Sequence, residues 1–276
     1  MRKVLYISGT RADYGPARRL LLKLNEHSEF ELGILVTGMH LDPSHGETWT
    51  EIEEDGLNIV EKIHGRLVGD SLSVMSASIG LYLYGMSHAI EWYAPDIVLV
   101  LGDRGEQLAG AMAAAYQNIT VAHLCGGTLS GSIDDSIRHA ITKFAHYHFP
   151  PFDEAAEKIF QMGEDPERVN VVGLPGGDIK PDVTYTRSQI CKRYKLCEEK
   201  PYILIIQHSV TQSQSEAEMQ ITETLKAVVS LKFPVLLANP NDDAGGKIIL
   251  SKMNEYAEKY EDIQILQPPK SRELFA

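Results

Sequence analysis

Short runs that are apolar at nearly every position recur along the chain, and most are followed by a stretch of helical periodicity. Val4–Ser8, Asp96–Leu101, Ile119–Leu124, Tyr202–Gln207 and Val235–Ala238 carry this pattern most clearly; Glu31–Thr37, Val169–Val172 and Ile263–Leu266 are further strand candidates. A strand with apolar residues on both faces has to be covered on both faces, which happens in a parallel sheet flanked by helices. The intervening helical patterns fall at Ala17–His27, Ser73–Trp92, Glu106–Tyr116, Asp134–His146, Glu154–Met162, Glu216–Leu231 and Lys247–Lys259. Alternation of this kind predicts an α/β chain built as doubly wound sheets.

A length of 276 residues suits two domains. Pro175–Arg187 is rich in proline, glycine and polar residues and lacks periodicity, so the boundary is expected there, giving domains at 1–180 and 181–276. The first has room for five to seven strands and the second for three. Ser271–Ala276 reads as a helix start with Ser271 as its N-cap, so the second domain is expected to be incomplete, with more chain beyond Ala276.

The net charge of −12 argues against a nucleic-acid partner, since an acidic surface repels a phosphate backbone. It does not exclude a small phosphorylated ligand held by local Arg and backbone N–H groups. Cys125, Cys191 and Cys197 form no C-x-x-C pair and no zinc pattern, which fits a reducing, cytoplasmic setting. No apolar segment reaches membrane length.

Ligands of open α/β sheets bind at the carboxyl ends of the strands, so those ends are where chemistry is sought. After the first strand comes Gly9-Thr10-Arg11-Ala12-Asp13-Tyr14, where Arg11 either clamps a phosphate at a helix N-terminus or is a solvated side chain on a plain βα turn. After the second come His40, Asp42 and His45, a set that invites a metal reading but reads better as a polar surface loop. Gly102-Asp103-Arg104 follows the third core strand; Asp103 either works on a sugar hydroxyl or a proton, or caps the next helix. The run from His123 to His139 is the most unusual. Its Gly/Ser-rich loop, with Cys125 and Ser130, lets backbone approach a ligand, and Asp134 and Asp135 then open a helix whose dipole favours ionised carboxylates, with Asp134 either a base held deprotonated or only the helix cap. His139 and His146 lie too far apart on that helix to share a metal. In the second domain His208 ends one strand, and Asn239-Pro240-Asn241-Asp242-Asp243-Ala244-Gly245 follows the next.

In order along the chain, these strand ends resemble the hydrolysing UDP-N-acetylglucosamine 2-epimerases of the sialic acid pathway type. The resemblance rests on Gly9–Tyr14, Val36–Leu41, Gly102–Arg104, Ser130–Lys143, Gln207-His208 and Pro240–Gly245; the Ser130–Lys143 stretch is the most specific. It implies two Rossmann-like domains in the glycosyltransferase-B architecture and a reaction in two stages. UDP leaves by elimination across C1–C2 to give 2-acetamidoglucal, and water then adds to give N-acetylmannosamine. Asp103, Asp134 and His208 match positions tied to proton transfer and substrate contact, Arg11, Arg104 and Asn241 match nucleotide-side contacts, and Ser130 lies on the substrate side. The resemblance further implies a UDP-sugar substrate, no cofactor, no metal in the chemical step, and a homodimer or homotetramer.

Three positions depart from the family: Cys125 and Thr128 stand where Glu is common, and Ser209 where Pro is common. A thiol replaces a carboxylate as base only if its pKa is strongly lowered. The departures keep two alternatives open: the same reaction on a UDP-diacetamido sugar such as UDP-diacetylbacillosamine, and a non-catalytic nucleotide-sugar-binding protein. A Gly-Asn-Ser-Ser-x-Gly loop that holds the diphosphate in the family would lie beyond Ala276.

Overall fold

The computed structural model describes residues 1–69, 71–177, 186–241 and 243–266. The chain divides into two compact units, Met1–Leu67 with Ser76–Lys180 and Val68–Met75 with Pro181–Ala276. The expected helix start at Ser271–Ala276 and the middle of the expected boundary lie outside the described residues.

The first unit is built on a six-stranded sheet in the order β3-β2-β1-β4-β5-β6. Its strands are β1 (Arg2–Ser8), β2 (Phe30–Thr37), β3 (Ile59–Ile63), β4 (Ile97–Leu101), β5 (Thr120–Leu124) and β6 (Tyr147–Phe149), and every pairing is parallel. The helices are α1 (Arg11–Glu26), α2 (Thr50–Glu54), α3 (Leu72–Tyr93), α4 (Gly105–Tyr116), α5 (Ile133–Phe144) and α6 (Asp153–Gln161).

The near-continuous apolar strands have the predicted cause. Leu5 and Ile7 enter a core with Met86 and Ile90 of α3 and with the alanines of α4. Val4 and Tyr6, alternating with them, enter a second core with Tyr14, Ala17 and Leu21 of α1. The fit of α4 is close: a Cβ on Gly110 would stand 1.9 Å from Ile7 Cδ1, so any larger residue there forces the Ile7 side chain to move. Strand order reverses between β1 and β4, and a doubly wound sheet opens a ligand crevice at that reversal. The turns after β1 and β4 hold Arg11 and Asp103.

Several elements differ from the sequence reading. Val169–Val172 is not a strand; only Val169 bridges, to His148. The sixth strand is β6, whose short Tyr-His-Phe sequence gives no apolar run. The edge strand β3 also goes unseen, because Glu61 and Lys62 break its pattern. Helix α1 begins six residues earlier than predicted, since Gly15-Pro16 masks its periodicity while the Thr10–Asp13 capping box fixes its start. Helix α5 ends at Phe144, and the His146 N–H bonds Val121 O instead of continuing it.

The second unit holds α7 (Arg187–Arg193) and a parallel sheet β7-β8-β9, formed by Ile203–Ile206, Val235–Ala238 and Ile263–Ile265. Helices α8 (Ala217–Ser230) and α9 (Gly246–Lys259) cover it through Ile221, Leu225, Ile249 and Met253. Among the described residues, no helix is long and apolar enough to cross a membrane.

Candidate active site

The β1–α1 turn is wired by Asp13, which is fully buried. One carboxylate oxygen accepts the Gly9 and Thr10 N–H groups at 3.0 and 2.9 Å, and the other accepts the Ser8 hydroxyl at 2.5 Å. Thr10 Oγ1 accepts the Ala12 N–H at 3.0 Å. The Gly9, Thr10 and Ala12 N–H groups at this helix start are therefore bonded within the turn, which leaves the Arg11 side chain as the candidate phosphate clamp. Burial lowers the Arg11 pKa, and the negative charge of Glu51 opposes that.

His40 does not lie in a surface loop, as its sequence context suggests. It is fully buried, with Nε2 2.9 Å from Ser8 Oγ and Nδ1 2.7 Å from Thr48 Oγ1. Burial pushes its pKa down to about 3, so the ring is neutral and ties the β2 loop to the β1 turn. Asp42 is held by Ser44, by His45 at 3.1 Å and by Arg66. Among the described residues, no cluster of His, Cys, Asp and Glu is arranged to hold a metal ion.

After β4, Gly102 turns the chain at φ +81°, and its carbonyl accepts from His123 Nε2 at 2.8 Å. Asp103 does not cap α4, because the N-cap position is Arg104. Asp103 instead pairs with Arg138 of α5. Burial raises the Asp103 pKa, Arg138 opposes the rise, and the charge of Asp134 adds to it. Arg104 Nε lies 3.4 Å from Glu106, a buried carboxylate.

After β5, Cys125 takes a left-handed conformation at φ +64°. Burial, reinforced by the charge of Asp103, pushes its thiol up to about 11, so it is no thiolate near neutrality. The loop turns at Gly127, where a Cβ would stand 2.1 Å from Ala155 O. Ser132, not Asp134, caps α5. The Ser132 hydroxyl accepts the Asp134 N–H at 3.2 Å and donates to Asp134 Oδ2 at 2.7 Å.

The adjacent carboxylates divide their work. Asp135 accepts the Ser130 and Gly131 N–H groups at 2.7 Å each, the Ser130 hydroxyl at 2.9 Å and Arg138 at 2.8 Å. Against a burial effect that raises it, these bonds hold the Asp135 carboxyl at about 2. Asp135 is thus an anchor that keeps the Ser130 loop in place. Asp134, half-buried, is the less tethered of the two. Arg138 joins the parts: besides Asp103 and Asp135, it donates to Thr128 O at 2.7 Å. Sequence reasoning passed over Arg138 and Asp135 as site residues. The available signal was their three-residue spacing, which brings opposite charges together on one helix face.

In the second unit His208 Nδ1 accepts the Asn241 N–H at 3.0 Å, and Asn241 Nδ2 donates to Asp243 at 2.5 Å. Close by in sequence, the buried oxygens Ser209 Oγ, Asn239 Oδ1 and Asn241 Oδ1 have no hydrogen-bond partner among the described residues. Buried polar atoms left this way are the kind of feature a bound ligand satisfies.

Parallel α/β units of this kind, with Arg, His and carboxylate side chains in the turns after their strands, belong to the class of open α/β folds that bind ligands at the carboxyl ends of their strands. Residues 22–276 match the family described as UDP-N-acetylglucosamine 2-epimerase. The chain is 39% identical over 268 residues to the hydrolysing UDP-N,N'-diacetylbacillosamine 2-epimerase of Legionella pneumophila, covering 97% of this chain and 71% of that one. It is 31% identical over 256 residues to the UDP-N-acetylglucosamine 2-epimerase of Neisseria meningitidis, covering 93% and 67%. The crystal structure of UDP-GlcNAc 2-epimerase from Neisseria meningitidis, bound to UDP-GlcNAc, superimposes with a TM-score of 0.80 at 17% identity, covering 99% of this chain and 74% of that one. The chain belongs to the UDP-N-acetylglucosamine 2-epimerase family and has the α/β fold of the glycosyltransferase-B type, spanning about 70% of the length of these relatives.

Proposed function

We propose that the protein is a hydrolysing 2-epimerase, converting a UDP-linked N-acetylated amino sugar to UDP and the free C2 epimer. The observation that carries this reading is Arg138, which pairs with Asp103 after β4 and with Asp135 on α5 and so brings Asp103 to the helix start that carries Asp134. Two carboxylates in different environments suit a reaction that removes a proton and later returns one.

In the first stage a carboxylate takes the C2 proton while the C1–O bond to UDP breaks, leaving a C1–C2 double bond. The C2 proton is weakly acidic, so stabilisation of departing UDP supplies much of the driving force. Arg11, Arg104, His208 and Asn241 are assigned to that leaving group and its nucleotide side. In the second stage water adds its oxygen to C1 and a carboxyl group delivers a proton to the opposite face of C2. One water is consumed, and the products are UDP and the epimerised sugar. Ser130, held by Asp135, is assigned to substrate contact through the loop backbone. Cys125 is assigned no proton transfer, since its thiol stays protonated near neutral pH.

Two substrates fit: UDP-N-acetylglucosamine, giving N-acetylmannosamine, and UDP-diacetylbacillosamine. The second is favoured by the 39% identity to a relative named for it. Each is incubated with the protein in deuterated water, and NMR follows UDP, the free sugar and deuterium at C2. Release of UDP with C2 deuteration of one sugar supports the reading and selects the substrate. UDP binding without release from either sugar replaces it with a non-catalytic nucleotide-sugar-binding role.

A further inference from the structure

Glu106 is the second residue of α4, and its side chain turns inward. An acidic residue in a first helical turn ordinarily complements the helix dipole from the surface; this one is 6% exposed. Burying a carboxylate is costly unless a partner offsets the loss of water. A second buried carboxylate adds to the cost: burial raises the Asp13 pKa, and the charge of Glu106 raises it further.

Two other turns are shaped around this side chain. A Cβ on Gly9, after β1, would stand 3.0 Å from Glu106 Cγ, and a Cβ on Gly38, after β2, would stand 2.8 Å from Glu106 Oε1. The turns after β1, β2 and β4 thus close on one carboxyl group, beside the reversal of strand order where a ligand crevice opens. Packing alone does not call for a charge there. The next residue, Gln107, already ties α4 to the sheet: its Nε2 donates to Ile7 O at 2.9 Å and its Oε1 accepts the Leu101 N–H at 3.3 Å. A neutral side chain of the same length in place of Glu106 would fill the same space without desolvating a carboxylate. The charge has a use in Arg104, whose Nε lies 3.4 Å from Glu106 Oε2 and whose side chain is 26% exposed.

We propose that Glu106 is a positioning residue for Arg104. Held at its Nε edge from the buried side, the guanidinium has a fixed plane at the mouth of the crevice. A planar fork fixed in this way meets a phosphate in two parallel hydrogen bonds, and the rotamer freedom of a long side chain is given up before the ligand arrives. The inference rests on the assignment of Arg104 to the leaving nucleotide made above. Glu106 touches no substrate; it acts through Arg104.

A double-mutant cycle on UDP binding, read by calorimetry, tests this. Glu106→Gln keeps the shape between Gly9 and Gly38 and removes the charge, so the circular dichroism spectrum is expected to stay as in the wild type. The UDP dissociation constant is expected to rise about five-fold or more. In an Arg104→Ala background the same change is expected to shift the constant less than about two-fold. If Arg104→Ala does not fold, Arg104→Lys, which keeps the charge and loses the fork, takes its place in the cycle. An unchanged constant for Glu106→Gln overturns the proposal. So does an equal factor in both backgrounds, which is what a purely structural role gives. UDP release from the sugar by the wild type is measured separately. Coupling without release sustains the role of Glu106 in binding while removing the catalytic reading; release without coupling does the reverse.

Discussion

Replacing Asp13 with Ala is expected to destabilise the first unit by several kcal/mol, while Asn is tolerated. The carboxylate satisfies three buried donors: the Gly9 N–H, the Thr10 N–H and the Ser8 hydroxyl. Alanine removes all three partners at once. A buried unsatisfied donor costs about 1–3 kcal/mol, so the loss is about 3–6 kcal/mol if water partly fills the space. That is a large share of a typical stability of about 5–15 kcal/mol, equivalent to roughly 10–20 °C in melting temperature for a chain of this size.

Asparagine behaves differently because the chain of bonds behind Asp13 can reverse. With the carboxylate, Thr48 donates to His40 Nδ1, His40 Nε2–H donates to Ser8, and Ser8 donates to Asp13. In the Asp13→Asn variant the side-chain amide N–H₂ donates to Ser8, Ser8 to His40 Nε2, and His40 Nδ1–H to Thr48. Burial raises the Asp13 pKa from 3.8 to about 7. The folded-state value lies above the unfolded one, so this contribution to stability is present below about pH 4 and fades as pH rises through about 7. The asparagine variant lacks it and is expected to lose less stability between about pH 5 and 8. The assay is urea denaturation followed by tryptophan fluorescence, because Trp49 and Trp92 both lie in the first unit. An alanine variant within about 1 kcal/mol of the wild type, or an asparagine variant as weak as alanine, refutes the reasoning.

Asp134→Asn removes a base while Ser132 still caps α5, so the fold is expected to survive and UDP release to fall roughly 10²–10⁴-fold; Cys125→Ser costs little by comparison, and the reverse ranking reassigns the chemistry. Arg11→Ala is expected to raise the UDP dissociation constant about tenfold or more, as read by calorimetry; an unchanged constant removes Arg11 from the nucleotide side. Arg138→Gln takes away the charge that opposes the burial-driven rise of the Asp103 pKa, so the acidic limb of the pH–rate profile is expected to move to higher pH. A limb that stays in place shows that Asp103 does not control it.

The sequence by itself determined the strands β1, β4, β5, β7 and β8 and the longer helices packed on them, though not α2, α7 or the start of α1, because apolar residues on both faces of a strand leave only a covered parallel sheet. It also put the candidate Arg, Asp, His and Asn residues in the turns after β1, β4, β5, β7 and β8. Tertiary structure decided what polar composition conceals. Strand β6 is only Tyr-His-Phe and pairs because β5 offers it an edge. His40 reads as a loop residue yet is buried, because Ser8 and Thr48, 32 and 8 residues away, receive its two ring nitrogens. The pairing of Asp103 with Arg138 spans 35 residues and joins the turn after β4 to helix α5, where Arg138 also holds Asp135. Periodicity registers neighbours along one element, whereas hydrogen bonds and ion pairs between strand ends depend on how the sheet brings separate turns together.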